Sequence, residues 1–108
     1  MEKEKKVIIK DFALNNLEKQ IDYFEENFSF QYALKLETEF LTVVQSLSHF
    51  YLKYPECQNL PTKNKIYRCF AWRSYLIIYR IKSDLIEVLS LFHARQNPNK
   101  QKSLRRIK

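Results

Sequence analysis

At 108 residues, 45% hydrophobic and with a net charge of +7, the chain has the size of one compact domain and the material for an ordinary core. Eight Phe and seven Tyr exclude a disordered chain, and 29% charged residues exclude an integral membrane protein. The first apolar stretch, Val7 to Ile9, is far shorter than the roughly 7–15 residues of a secretory signal, so a cytoplasmic protein with no membrane partner is expected.

Lys5 to Lys10 reads as a first strand around the β-branched run Val7-Ile8-Ile9. Asp11 is placed to cap a helix whose apolar stripe is Ala13, Leu17, Ile21, Phe24 and Phe28, ending near Asn27. Ser29 is a second N-cap. The stripe Ala33, Leu36, Phe40, Val43/Val44, Leu47 and Phe50/Tyr51 then predicts one helix of more than twenty residues, stopping before Pro55. Pro55 to Lys65 reads as a loop. Ile66–Ala71, Tyr75–Ile81 and Leu85–His93 follow as strands, with Lys82-Ser83-Asp84 as a hairpin turn. The chain has no glycine, so its turns must use Asn, Asp, Ser or ordinary backbone angles. The expected fold is α+β, β-α-α-β-β-β, a helical hairpin packed on a mainly antiparallel four-stranded sheet. Residues 1–98 form the domain and 99–108 a basic tail, either a short helix or disordered.

Charge is unevenly distributed. Residues 1–56 hold seven basic and ten acidic side chains, whereas residues 57–108 hold twelve basic and two acidic. That asymmetry suits phosphate or an acidic protein segment, or else simply gives a solvated basic face. Cys57 and Cys69 have no metal-ligand spacing and read as two reduced thiols, one in the loop and one in a strand. His49 and His93 stand far apart, so neither a metal nor a cofactor is implied.

The order of elements, together with Ala13-x-x-x-Leu17-x-x-x-Ile21-x-x-Phe24, Tyr67-Arg68, Tyr75–Ile81 and the ending Val88–Pro98, resembles the RelE/ParE superfamily of toxins. The segment His93-Ala94-Arg95-Gln96-Asn97-Pro98 is similar to the ending of ParE-like members. The resemblance implies the toxin of a bacterial type II toxin–antitoxin system, a growth inhibitor neutralised by the acidic amphipathic segment of a cognate antitoxin. It also implies one of two targets. RelE-like members cut mRNA at the ribosome, and ParE-like members inhibit DNA gyrase without chemistry.

Metal-free RNA cleavage needs clustered side chains that activate the 2′-hydroxyl and stabilise phosphorane charge. The resemblance offers Arg68, Arg73, His93 and Arg95 for such a set. Phe70 and Leu76 stand where RelE-like nucleases carry basic residues, however, and no tyrosine follows Arg95. A histidine at position 93 also fits the non-catalytic ParE-like ending. Lys63, Lys65, Arg68, Arg73, His93 and Arg95 are therefore read as target-binding residues. For Lys63, Lys65, Arg68 and Arg73 the alternatives are pairing with an acidic antitoxin segment or solvation of the loop, and for Arg95 a structural ion pair. Tyr67, Trp72 and Tyr75 suit base stacking, or else two of the three pack on the sheet. The sequence reading thus favours a ParE-like binding inhibitor over a ribosome-dependent endoribonuclease, with an inactive or basic nucleic-acid-binding domain third.

Overall fold

A computed structural model describes residues 3–93 and 98–108 of the chain. Its elements are β1 (Lys6–Ile9), α1 (Asp11–Asn27), α2 (Phe30–Gln45), α3 (Leu47–Phe50), β2 (Tyr67–Trp72), β3 (Tyr75–Ile81), β4 (Leu85–His93) and a C-terminal 3-10 helix (Pro98–Arg106). The expected α+β order is present. The four described strands lie in the order β1-β4-β3-β2. Strand β3 is antiparallel to both β2 and β4, while β1 is parallel to β4.

The mixed pairing follows from the path of the helices. Helix α1 continues in the direction of β1: the Leu91 amide donates to Asn16 Oδ1 at 3.0 Å, and the Tyr75 hydroxyl donates to Gln20 Oε1 at 2.8 Å. Helix α2 then returns the chain to where it began, as the Lys5 amide donating to the Ser48 carbonyl at 3.0 Å shows. Strand β2 therefore starts level with the start of β1 at the opposite edge of the sheet, β3 reverses, and β4 runs with β1.

Local chemistry sets the helix ends. Ser29 Oγ accepts from the Tyr32 amide at 3.1 Å and caps α2 as expected. Asp11 does not cap α1. Lys10 holds the extended capping position, and Asp11 is the first helical residue, where its charge still complements the positive end of the helix. The single long second helix is also corrected: α2 stops at Gln45 and a separate turn, α3, follows. Thr38, Thr42 and Ser46 each donate a hydroxyl to a preceding carbonyl, and the Ser46 amide is shared between Thr42 and Val43. This competition for the backbone loosens the ladder where the helix breaks.

The sheet is covered on both faces. On one, Leu17, Leu36, Phe40, Val44 and Leu47 pack against Ile77, Tyr79, Ile86, Val88 and Leu91. On the other, Cys57, Leu60 and Tyr67 meet Ile78, Leu89, Phe92 and Leu104. The register moves from Ile78↔Ser90 to Tyr79↔Val88, so Leu89 is a bulged residue that joins the second core. Phe28, placed on the α1 stripe by its spacing, instead stands 66% exposed at the hairpin tip.

The segment read as a basic tail docks on the second face. Leu104 is buried, and Ile107 packs beside it at helical spacing. With no glycine available, Lys65 (φ 53°) and Arg73 (φ 56°) take the left-handed turn conformation, which costs a side-chain-bearing residue about 1 kcal/mol. Neither was among the residue types expected there. No helix among the described residues is long and apolar enough to cross a membrane.

Candidate functional site

The residues proposed from sequence fall into two groups at opposite ends of the sheet. Arg68 lies near the start of β2 and Arg73 just after its end, about 17 Å along an extended strand. At the first end Arg68 spends its guanidinium on the backbone. Its Nη1 donates to the carbonyls of Leu52 at 3.1 Å and Tyr54 at 2.9 Å, and its Nε donates to Lys65 at 3.2 Å. It ties the end of the helical layer to the loop and to β2. Arg68 is thus committed to structure.

At the other end Arg73 donates to Glu39 on α2 through both Nε and Nη2, and its guanidinium lies 5.6 Å from the centre of the Trp72 ring. The hydrogen bonds it donates to Glu39 hold the Arg73 pKa above the ordinary value, despite some desolvation. Trp72 stacks on Tyr75, and Tyr75 meets His93 edge-on at 5.7 Å, so an aromatic row crosses the sheet end. Of the three aromatics considered for stacking on bases, Tyr67 and Tyr75 are buried and Trp72 is half-buried. Two of the three, Tyr67 and Tyr75, thus pack in the fold, and Trp72 packs in part against the helix-covered core. Lys19, Gln20, Tyr23 and Phe24 of α1 close a shallow cleft of about 430 Å³ over Tyr75 and His93. Burial raises the Tyr75 pKa, so its hydroxyl is a neutral donor to Gln20.

Arg68 is therefore not brought together with His93 or Arg73. Arg95 lies outside the described residues. Among the described residues no group of His, Cys, Asp and Glu is arranged to hold a metal ion.

A basic surface forms where the loop and the C-terminal helix meet. Arg105 Nη2 donates to the Pro61 carbonyl at 2.8 Å, and Asn59 Nδ2 to Gln101 Oε1 at 3.4 Å. These bonds bring the loop that carries exposed Lys63 and Lys65 against the segment that carries exposed Lys102, Arg105 and Arg106. Exposed Glu18, Asp22, Glu25 and Glu26 lie together on α1. The charge asymmetry was readable in the sequence. The joining of loop and tail into one patch was not, because it depends on the burial of Leu104.

The sequence matches the family model for the ParE toxin of the type II toxin–antitoxin system parDE over residues 7–98. The chain belongs to the ParE toxin family. A comparison with curated protein sequences gives no significant match. Among solved structures the fold is similar to a chain described as the chromosomal ParDE TA system from P. aeruginosa, with a TM-score of 0.69 and 15% identity over 85% of this chain and 98% of that one. This ParE-family chain is thus a type II toxin with a cognate antitoxin as its partner. The ParE-like reading of the His93–Pro98 ending agrees with the family.

Proposed function

We propose that this toxin acts by binding DNA gyrase, without chemistry of its own. The observation that carries the reading is the commitment of Arg68 and Arg73. One guanidinium is bound to three backbone carbonyls and the other to Glu39, at opposite ends of β2. A phosphoryl-transfer centre needs its cations converging on one oxygen-rich point. Family membership supports the same reading, since inhibition of gyrase is the role associated with ParE toxins. His93 and the cleft beside it, with Arg95, are proposed as part of the target-binding surface. The patch of Lys63, Lys65, Lys102, Arg105 and Arg106 is proposed to receive the acidic segment of the antitoxin in the bacterial cytoplasm, by charge complementarity.

The test is induction of the chain in bacteria, together with a supercoiling assay using purified toxin and gyrase. Filamentation, a DNA-damage response and blocked supercoiling with intact mRNA are the expected outcomes. Rapid codon-linked mRNA cuts with normal supercoiling would replace the reading with ribosome-dependent cleavage. No growth defect from folded, abundant protein would indicate a toxin-like domain without toxicity.

A further inference from the structure

The two cysteines, far apart in sequence, sit side by side. The segment at Pro55–Cys57 runs antiparallel to the start of β2: Glu56 bridges Arg68, the Cys57 amide donates to the Tyr67 carbonyl at 2.9 Å, and the Cys69 amide donates to the Pro55 carbonyl at 3.2 Å. Residues flanking a bridged pair project to the opposite side from it, so Cys57 and Cys69 share one face as diagonal neighbours. Cys57 is part of the second core and Cys69 packs against it. Their environments differ. Cys57 is fully buried, whereas Cys69 is half-buried and lines an open cleft of about 260 Å³ with Pro55, Gln58, Asn59, Leu76 and Gln101.

We infer that Cys57 and Cys69 form a reversible disulfide when the toxin meets a peroxide, with Cys69 as the attacking thiol and Cys57 as the resolving one. The assignment follows from access: a small oxidant enters the cleft at Cys69 and cannot reach Cys57 directly. The Cys69 thiolate attacks one peroxide oxygen, the O–O bond breaks, and Cys69 sulfenic acid and hydroxide form. The Cys57 thiol then displaces the sulfenic oxygen as water, its proton leaving with it, and the S–S bond closes. Overall two thiols lose two electrons and two protons, and one peroxide becomes two waters. The neighbouring Cys57 lowers the Cys69 pKa, while Cys69 and burial raise that of Cys57, so the thiolate is favoured at Cys69. Diagonal neighbours across a ladder lie about 7–8 Å apart, beyond the roughly 4.4–6.8 Å that a disulfide spans, so closing the bond requires a shift of the backbone. The pairing of Glu56 with Arg68 is an isolated bridge, so that shift disturbs the short Pro55–Cys57 contact and its two amide bonds and leaves the ladder of the sheet intact.

The bond would pin the loop that carries Lys63 and Lys65, and through Pro61 the C-terminal helix as well. Closing 13 residues, Cys57 to Cys69, removes loop entropy from the unfolded chain. A rise in Tm of roughly 10 °C is expected on that account.

The experiment treats purified full-length toxin with hydrogen peroxide, alkylates the remaining thiols, and maps the peptides by mass spectrometry. A monomer with both thiols protected, Cys57 linked to Cys69, and full reversal by dithiothreitol is expected, with the raised Tm in the oxidised form. In Cys57→Ser a dimedone-trapped sulfenic acid should appear on Cys69, and in Cys69→Ser Cys57 should stay unreacted. If wild-type protein keeps two alkylatable thiols, or links only between molecules, the inference is overturned. That measurement stands even where a variant fails to fold.

Discussion

Arg80 and Glu87 face each other across β3 and β4, and Arg80 Nε donates to Glu87 Oε1 at 2.8 Å in a pair almost wholly out of water. Lys10 Nζ lies 3.5 Å from the other carboxylate oxygen, and Arg80 Nη1 reaches the Tyr67 hydroxyl at 3.4 Å. Removing one partner leaves the other charged and buried, which costs about 3–5 kcal/mol. Glu87→Gln should therefore lower stability by roughly that amount in urea unfolding at neutral pH. The double variant Arg80→Met, Glu87→Leu should recover most of the loss, because no orphaned charge remains. If the double variant is the less stable of the two, the pair is a net stabiliser.

The same pair fixes a pH dependence. Burial works against the Glu87 carboxylate, but the hydrogen bond from Arg80 and the charges of Arg80, Lys82 and Lys10 outweigh it and lower its pKa. A carboxyl with a depressed folded pKa contributes stability that is fully present above the unfolded value of about 4.3. That stability is lost as pH falls through the folded value. Wild-type protein should thus lose stability below about pH 4, and Glu87→Gln should lose less over the same range. Parallel slopes in the two proteins would assign acid sensitivity to other carboxyls.

Tyr79 lies fully buried at the centre of the helix-covered face, and its hydroxyl donates to the Tyr51 carbonyl at 2.6 Å. Burial raises its pKa, so it stays a neutral donor at any ordinary pH. Tyr79→Phe keeps the ring and strands the carbonyl, a loss of about 1–3 kcal/mol. Thermal melts of the two proteins check it, and an unchanged Tm would mean that the carbonyl finds another donor.

Much of this fold was legible because the apolar spacing changes where the structure changes. The period of Ala13–Leu17–Ile21 and Ala33–Leu36–Phe40 marks helices, and the β-rich runs at 75–81 and 85–93 coincide with β3 and β4. The break at Ser46 was hidden because Leu47 and Tyr51 continue the stripe into α3, although Thr38, Thr42 and Ser46 are the residues that loosen a helix. At the candidate site Arg68 and Arg73 looked alike as cations near aromatics. Only tertiary partners distinguish them: carbonyls of Leu52 and Tyr54 for one and Glu39 for the other. Charge type is local information, whereas what a guanidinium faces depends on the return path of the chain.

Leu104 tests whether the C-terminal segment belongs to the folded unit. Its side chain is buried among Leu60, Ile78, Leu89 and Phe92 of the second face. Leu104→Ala should cost about 2–5 kcal/mol, measured by urea unfolding, whereas Lys108→Ala should change nothing. A near-zero cost at Leu104 would show the helix undocked in solution.

Lys63 and Lys65 test the basic patch apart from the stability of the fold. Both side chains are exposed, so replacing them with Glu should leave the urea midpoint within experimental scatter. Exposed charge pairs contribute about 0.2–1 kcal/mol each, and reversing two of them should weaken binding of the cognate antitoxin by about tenfold at low ionic strength. The Debye length shrinks to about 3 Å at 1 M salt, so the difference between variant and wild type should narrow as salt is added. Calorimetric titration over a salt series measures both effects at once. A tenfold loss that persists at high salt would mean that the lysines act through packing, and equal affinities at low salt would move the antitoxin segment away from this face. Supercoiling inhibition by the same folded variant then separates the two partners. If gyrase inhibition survives while antitoxin affinity falls, the antitoxin and the target use different surfaces, and the end of the sheet near His93 is left as the target-facing one.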